Sequence, residues 1–502
     1  MKNYADWKAP KQDLSHLIWP EPQQIIQQTH ANFHQLGKDQ ETLICGIPLA
    51  QWRASIRSIW GVQDQPLVAT GHQIELYHPG VWVKNILISL LADQIGGRAI
   101  HIAVDTDTPK HLTLKWPGSA RSITDDPAIM NAEWLGQVRR PSPEYIAQLR
   151  KDFEKSAANW PFQPIAGLFF DHLIQACNTP RARLAECLTH ATRETDQFLG
   201  LNYQFQILSD LLNSDAYLAL VYQIASDIGV FATHYNQSLK AYRAEAGIRS
   251  STRPMPDLSM SEDEIELPFW FDELTTGERS RAKVALSPQG SILITPAGDG
   301  FVFASHPRSE ENQPQRLRKF LEDNNLRLSP RALTLTLFLR LLVVDQFVHG
   351  IGGARYDQVT DRIMAGYFGI RPPDFSVTTA TLYFPTARQV SRVCLPCLKM
   401  EGHRVRHPFI PDKQAYLQAI QSAPRKSIER RNHYLAMHRA IESSPQTALA
   451  REQWKSRFQN ALVNQEQEKV IFDRELFYGL QSRNRLTEMI DQYRIVFQPS
   501  KV

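Results

Sequence analysis

The sequence predicts an α/β protein: a parallel-sheet core, a helical insertion and a C-terminal helical tail. Three patterns carry this. "PLVATGHQ" is a short apolar run ending in a glycine turn, "GVWVKNILISLLADQIGG" reads as a helix closed by Gly96 and Gly97, and "RAIHIAVDTDTPKH" reads as a second short strand. Strand, turn, helix, strand is the βαβ unit from which parallel sheets are built. The stretch from about 140 to 245 is mostly helical by period, as in "QILSDLLNSDAYLALVYQIASDIGVFATHYNQSLKAYR". From 411 onward the chain is helical and charged, with a break near "ESSPQT" at Pro445.

In chain order, residues 1–65 read as a polar helical segment, with "EPQQIIQQTHANFHQL" its clearest amphipathic run. The core spans 66–410, interrupted by the helical insertion at about 140–250. The loop-rich "GIRSSTRPMPDLSMSEDEIELPFWFDE" follows, then two β runs around "PAGDG", a hairpin signal. Next come the apolar run "RALTLTLFLRLLVVDQFV" and the glycine-rich "HGIGGARYDQVTDRIMAGYFGIRPP". Residues 411–502 form the tail, whose simplest reading is two antiparallel helices. No internal repeat is visible.

Composition narrows the function classes. The 502 residues give room for two or three domains and a substantial core. Hydrophobic content of 42% with 22% charged residues is that of a globular protein. A formal net charge of +4 is too small to point to nucleic acid or a membrane surface. The basic stretches "RQVSRV" and "PRKSIERRNHYLAMHR" read as solvated helix faces. "MKNYADWKAP" has no apolar segment of the secretory type, and Arg340 and Asp345 cut the longest apolar run short of a membrane span. Five cysteines give no disulfide framework. A cytoplasmic protein is the expectation.

Chemistry concentrates in two places. "TGHQIELYHPGVWVKN" sets His72 and His78 beside Gly71, Gln73 and Lys84, at the end of the first predicted strand. Asp105 and Asp107 end the next strand, two residues apart and so on one face, with His111 a little further on. In parallel sheets ligands sit beyond the carboxyl ends of the strands, which is where these residues fall. His72 would stabilise an anion, Lys84 would meet one, and the two aspartates would hold Mg²⁺ or orient an amine or ribose. The second place is "FVHGIGGARYDQVTDR". Here His349, Gly350, Gly352, Gly353, Tyr356 and Asp357 lead into a helix whose free N–H groups suit an anion. Asp361 and Arg362 read as a helix-surface pair. A further group, Cys394, Cys397, His403 and His407, has the C-x2-C and H-x3-H spacings of a zinc site.

Taken together, "TGHQIELYHPGVWVKN", "DTDTPKH" and "SPRALTLTLFLRLLVVDQFVHGIGGARYDQVTDRIMAGYFGIRPP" resemble, in order and spacing, three segments of the bacillithiol-synthesis cysteine-adding enzymes, the BshC family. The resemblance covers the motif-bearing parts of about 65–502. It implies a Rossmann-like core akin to the nucleotidylyltransferases and a C-terminal helical coiled-coil element that makes a homodimer. It also implies a ligase-type reaction that joins cysteine to a glucosaminyl-malate amine. His72 stands where the family carries glutamine, and "GIGGARYDQ" where it carries "GGPGEIAYW". A divergent member with an altered substrate is therefore expected.

On this reading the protein joins a cysteine-like amino acid to an amine through an activated carboxylate. His72, His78, His349, Asp105 and Asp107 would be catalytic. Gly71, Gln73, Lys84, Gly350, Gly352, Gly353, Tyr356 and Asp357 would bind a nucleotide, ATP with Mg²⁺ or another activated donor. Two other classes remain open: a non-catalytic nucleotide- or metabolite-binding protein, and a metal-dependent hydrolase using His72, His78, Asp105 and Asp107. In the tail, Trp454, Phe458, Ala461 and Leu462, and Ile428, Leu435 and His438, recur at helical spacing and predict buried stripes.

Overall fold

A computed structural model describes residues 7–180, 182–253, 255–288, 290–295, 298–304, 312–387, 394–406, 410, 412–443 and 445–498. The fold is mixed α/β, and its larger sheet is mostly parallel. The chain divides into two compact units. One comprises residues 1–115, 120–383 and 474–502, and the other 116–119 and 384–473. The division thus falls at 384 rather than 411, and the last thirty or so residues return to the first unit.

In the first unit, β1 (Ser15–Trp19) opens the chain and α1 (Pro22–Gly37) follows. The short hairpin β2 (Leu43–Ile44) and β3 (Ile47–Pro48) leads to α2 (Leu49–Arg57). The N-terminal segment is therefore not purely helical, because β1 joins the large sheet. In α1 the residues Ile25, Thr29, Asn32 and Leu36 recur on one buried face, as a helix laid on a core requires.

The predicted βαβ unit is present as β4 (Leu67–Gln73), α3 (Pro79–Ile95) and β5 (Arg98–Val104), with β4 and β5 parallel neighbours. Gly96 ends α3 in the left-handed conformation at φ +64°, which an L side chain adopts only with strain. Side chains of each strand alternate between the two faces. Leu67, Ala69, Ile100 and Ile102 enter the main hydrophobic core. His101 turns to α3, where its Nδ1 lies 2.7 Å from the Asn85 Oδ1.

A hairpin, β6 (Thr113–Trp116) and β7 (Ser119–Ser122), precedes the helical insertion. The insertion contains α4 (Pro143–Ala157), α5 (Ala166–Cys177), α6 (Leu184–Phe198), α7 (Asp215–Ser226) and α8 (Ile228–Glu245). Within it lies β8 (Gln204–Ile207), a strand the helical pattern conceals, which pairs parallel with β5. Next is an antiparallel sheet of β9 (Glu264–Glu273), β10 (Arg279–Ser287), β11 (Gly290–Ile294), β12 (Gly300–Ala304) and β13 (Leu326–Pro330), with α9 (Gln313–Asp323) before β13. The expected hairpin is β11–β12, paired antiparallel from Gly290↔Ala304 to Ile294↔Gly300.

The long apolar run divides. It forms α10 (Ala332–Phe338), a π-helical turn at Leu339–Val343 and then β14 (Gln346–His349). α11 (Ile351–Tyr367) crosses to β15 (Ser376–Thr381). The large sheet has the order β1-β15-β14-β4-β5-β8. From β15 to β8 every pair is parallel, and β1 closes the edge antiparallel to β15. Chain order runs outward from β4 on one side and from β14 on the other. The sheet therefore reverses direction of build between β4 and β14, the place where such sheets open a crevice at their carboxyl edge.

The second unit holds α12 (Leu395–Arg406), α13 (Lys413–Ser422), α14 (Ile428–Ser443) and α15 (Pro445–Ile471). Four helices stand where two were expected. Trp454, Phe458 and Ala461 do pack inward: Trp454 Nε1 donates to the Leu398 carbonyl at 2.7 Å and stacks on Phe458 at 5.2 Å. The other stripe does not. Met437 and Ile441 are the buried residues of α14, while Ile428 is 79% exposed and Leu435 is also exposed; Leu462, of the first stripe, is exposed as well. The final helix, α16 (Arg483–Phe497), belongs to the first unit, where Tyr493 meets Thr378 Oγ1. Among the described residues no single helix is long and apolar enough to cross a membrane.

Candidate functional site

The carboxyl ends of β4, β5 and β14 open into one cavity of about 430 Å³, a volume suited to a small molecule. Gly71, His72 and Gln73 come from β4, Thr106 and Asp107 from the segment after β5, and His349 and Gly353 from β14 and the start of α11. The last residues of β4, which are strand paired with β5 and not the expected glycine turn, and the β14–α11 junction at 349–353 therefore share a cavity, although they lie far apart in sequence. The antiparallel sheet completes the wall with Trp270, Pro330 and Arg331.

His349 is buried, with its Nε2 2.8 Å from Asp357 Oδ2. Asp357 is one turn or two into α11 and is itself held by Arg340, whose Nη1 is 2.5 Å away. Arg340 also reaches Asp361 at 2.7 Å and lies over the Phe375 ring. Burial pushes the Asp357 carboxyl up, but Arg340 and His349 outweigh it and hold the group ionised, well below the usual carboxylate range. Burial lowers the His349 pKa against the upward pull of Asp357. With Nε2–H donated to the carboxylate, Nδ1 is the ring nitrogen left to accept. Gly353 lies against that nitrogen: a β-carbon there would sit 2.8 Å from Nδ1. Any side chain at 353 would crowd that nitrogen.

His72 is arranged the same way by different partners. Its Nδ1 is 3.1 Å from the Gln73 carbonyl and 3.5 Å from Glu75 Oε1. Burial, then Lys84, lowers its pKa well below the ordinary histidine value. The side chain is nonetheless 31% exposed, because it borders the cavity. With Nδ1–H donated to a carbonyl, Nε2 carries the lone pair.

Behind these residues Lys84 and Glu75 form a buried charged layer. Lys84 Nζ donates to the Gly71 carbonyl at 3.1 Å. Burial pushes its pKa down to about 7 against the pull of Glu75, and burial pushes Glu75 up to about 7 against the pull of Lys84. Lys84 thus fixes the backbone beneath the cavity and does not line it. Gln73 Nε2 donates to Asp107 Oδ2, whose other oxygen accepts the Thr108 N–H at 2.9 Å.

Several expected residues lie elsewhere. His78 caps α3, accepting the Gly80 N–H on Nδ1 at 3.1 Å. Burial, then Arg474, takes its pKa down to about 3. Asp105 is buried, with both oxygens taken by Ser209: Oδ1 accepts its N–H at 3.0 Å and Oδ2 its hydroxyl at 2.6 Å. It fastens β5 to the turn after β8, and the Asp105–Asp107 Mg²⁺ site does not fit this arrangement. Gly350 is the N-cap of α11, Gly352 has open space around it, and Tyr356 is exposed beside Tyr242. None of the three borders the cavity. His111 is also outside it. Asp361, read as half of a surface pair with Arg362, instead faces Arg340, while Arg362 pairs with Glu245.

No group of three or more His, Cys, Asp or Glu side chains among the described residues is placed to hold a metal. His72, His78, Asp105 and Asp107 accordingly do not converge. Cys394 and Cys397 are joined as a disulfide, so neither sulfur is a thiolate available to zinc. His403 is exposed on α12, and His407 lies outside the described residues.

Sequence reasoning missed Arg331, Trp270 and Arg340. Arg331 is 7% exposed, donates from Nη1 to Glu266 Oε1 at 2.6 Å and lies over the Trp270 ring at 5.4 Å. It is a nearly buried cation on the cavity wall, with its charge matched by Glu266. Its signal was the charge inside "SPRALTLTLFLRLLVV", as was that of Arg340.

The cavity wall thus carries two imidazoles, one of them held by a carboxylate, and one guanidinium paired with Glu266. Against known proteins, no family model and no curated sequence matches the chain.

Proposed function

We propose that the protein is a ligase-type enzyme that joins a cysteine-like amino acid to an amine acceptor through an activated carboxylate, in the manner of the cysteine-adding enzymes it resembles. The observation that carries this reading is the pair of histidines. Each has its outer nitrogen engaged, by the Gln73 carbonyl and by Asp357, so each offers a lone pair at the same cavity. Two neutral acceptors suit an incoming amine, which must lose a proton as it attacks. Support also comes from the parallel run β8-β5-β4-β14-β15, which is compatible with a Rossmann-like core, and from the cavity at its switch point.

In this mechanism Arg331 binds the anionic part of the acyl donor, and His72 Nε2 accepts a hydrogen bond from the amine. The amine nitrogen attacks the acyl carbon and the C–N bond forms. His349 Nδ1 takes the proton released from nitrogen, and the Asp357 carboxylate, held in place by Arg340, stabilises the imidazolium that results. The leaving group departs with the electrons of the acyl C–O bond. A nucleotide, where it is the activating group, supplies that leaving group.

We also propose that two copies associate through the second unit in a coiled-coil-like manner. Ile428, Tyr434 and Leu435 of α14 are exposed apolar side chains on its surface.

The decisive test is chemical. Wild-type and His349→Ala proteins are incubated with cysteine, glucosaminyl-malate, ATP and Mg²⁺, then with a panel of other amino acids and amino sugars. Mass spectrometry should find an amide product with wild type only. Absence of any condensation product across the panel would sink the ligase reading.

A further inference from the structure

A second and larger cavity, of about 1010 Å³, lies beyond the ends of β5 and β8, apart from the one holding the histidines. Arg139 and Arg183 are on its wall. The two residues form an isolated antiparallel bridge, flanked by the Leu184 N–H donating to the Val138 carbonyl at 3.2 Å. That bond places them directly opposite each other as a non-hydrogen-bonded pair. Side chains of such a pair leave the same face, with β-carbons about 4.5–5.5 Å apart.

Their backbone N–H groups are taken by carboxylates, Arg139 by Asp126 Oδ2 at 2.9 Å and Arg183 by Glu186 Oε2 at 2.8 Å. Their guanidinium groups are not. Among the described residues neither makes a hydrogen bond or an ion pair, although the charge of Arg183 is felt at Asp210. The contrast with Arg327, on the same wall, is direct. Arg327 is matched to Asp272 at 2.9 Å and stacked on Trp134 at 5.2 Å. Like charges directly opposite on neighbouring strands destabilise the pairing. Two exposed arginines side by side on a cavity wall, which also carries the carboxylates of Asp126 and Glu322, offer an oxyanion two guanidinium groups.

We propose that this cavity binds a small ligand bearing a doubly charged oxyanion, a phosphate ester or a dicarboxylate, clamped between Arg139 and Arg183. The cavity is larger than inorganic phosphate requires, so the anion is one end of a larger metabolite. This site is independent of the reaction proposed for the other cavity.

The test is calorimetric titration of the full chain with pyrophosphate and with succinate, at ionic strength fixed with sodium chloride. Arg139→Gln, Arg183→Gln and the double variant are compared with wild type. One probe should bind wild type at one site per chain. Each single change should weaken binding about tenfold or more, the scale of a hydrogen bond to a charged group, and the double change should abolish it. Binding of pyrophosphate alone marks a phosphate ester, and of succinate alone a dicarboxylate. The ligand-free double variant should melt no lower than wild type, because the repulsion is gone. The proposal is overturned if neither probe binds, if the double variant binds as wild type does, or if the double variant melts several degrees lower.

Discussion

Replacing Asp357 by Asn tests the carboxylate–imidazole–guanidinium chain behind the histidine cavity. Asp357 and Arg340 are each only 2% exposed, 2.5 Å apart. Removing one partner of a buried ion pair typically costs about 3–5 kcal/mol. The lower end applies here, because Arg340 keeps Asp361 at 2.7 Å and the Pro373 carbonyl. The unit concerned has roughly four hundred residues, which implies an unfolding entropy of about 0.8 kcal/mol/K and hence a fall in Tm of about 4 °C. The sign of the pH effect follows from the same contacts. His349 has its pKa lowered by burial and raised by Asp357. In Asp357→Asn the upward pull is gone, so the imidazole pKa falls further. A histidine whose folded pKa lies below its unfolded value of about 6.5 lends its full stability above that pH and loses it as the pH falls toward the folded value. As the pH falls from about 6.5 the variant should therefore go on losing stability to a lower pH than wild type does. The assay is thermal melting across pH, with carbon-13 NMR titration of labelled histidine. A His349 resonance that titrates at the same or a higher pH in the variant, or an unchanged Tm, would refute the chain of contacts. Turnover, once a substrate is in hand, should fall about 10²–10⁴-fold, the usual contribution of an oriented general base.

Three other outcomes follow from particular contacts. Gly353→Ala should leave Tm within about 1 °C, since alanine favours a helix by about 1 kcal/mol, yet its β-carbon would meet His349 Nδ1 at 2.8 Å; ligand affinity or turnover should drop by about tenfold or more, and unchanged activity would show that Nδ1 is not the working nitrogen. Asp196→Asn should destabilise by about 2–4 kcal/mol, because Asp196 accepts from Trp82, Asn85, Tyr203 and Tyr478 in the interior and an amide N–H₂ would face those donors; a melt within 1 °C of wild type, on the same entropy scale, would contradict it. Sedimentation of the wild-type chain should show a dimer, and Ile428→Glu with Tyr434→Glu a monomer; a strictly monomeric wild type removes the proposed association.

The parts of the fold that were legible are those with local signals. The βαβ unit declares itself because two short apolar runs flank a helix that glycine terminates, all within forty residues. The β11–β12 hairpin is legible from an equally local signal. The remaining strands of the large sheet are not. β8 is "QFQI", four residues between long helices, and it is a strand only because β5 lies alongside. β14 is hidden in an apolar run that supplies a helix, a π-helical turn and a strand in succession. Periodicity cannot divide such a run, since each part is buried on all sides and shows no polar face.

The candidate site divides along a similar line. His72 and His349 were legible because each stands beside a glycine at the end of an apolar run. His78 and Asp105 look the same locally, and their roles are decided by partners at other ranges. The cap of α3 claims His78 through the Gly80 N–H, a signal present in "HPG", where proline opens a helix and the residue before it is the N-cap. Asp105 is claimed by Ser209, 104 residues away, which no spacing rule reveals. The most informative overlooked signal was charge inside the apolar run. Arg340 and Asp345 served in the sequence only to exclude a membrane span. In the fold each is a hub: Arg340 holds Asp357 behind His349, and Asp345 takes Arg53, Arg57 and the N–H of Leu67 at the start of β4. A charge buried among leucines survives only when matched, so each announces an opposite partner that must be found elsewhere in the chain. Here both partnerships lead to the strands that carry the two histidines. The same buried charges that interrupt the hydrophobic pattern hold β4 and β14 with their carboxyl ends at one cavity.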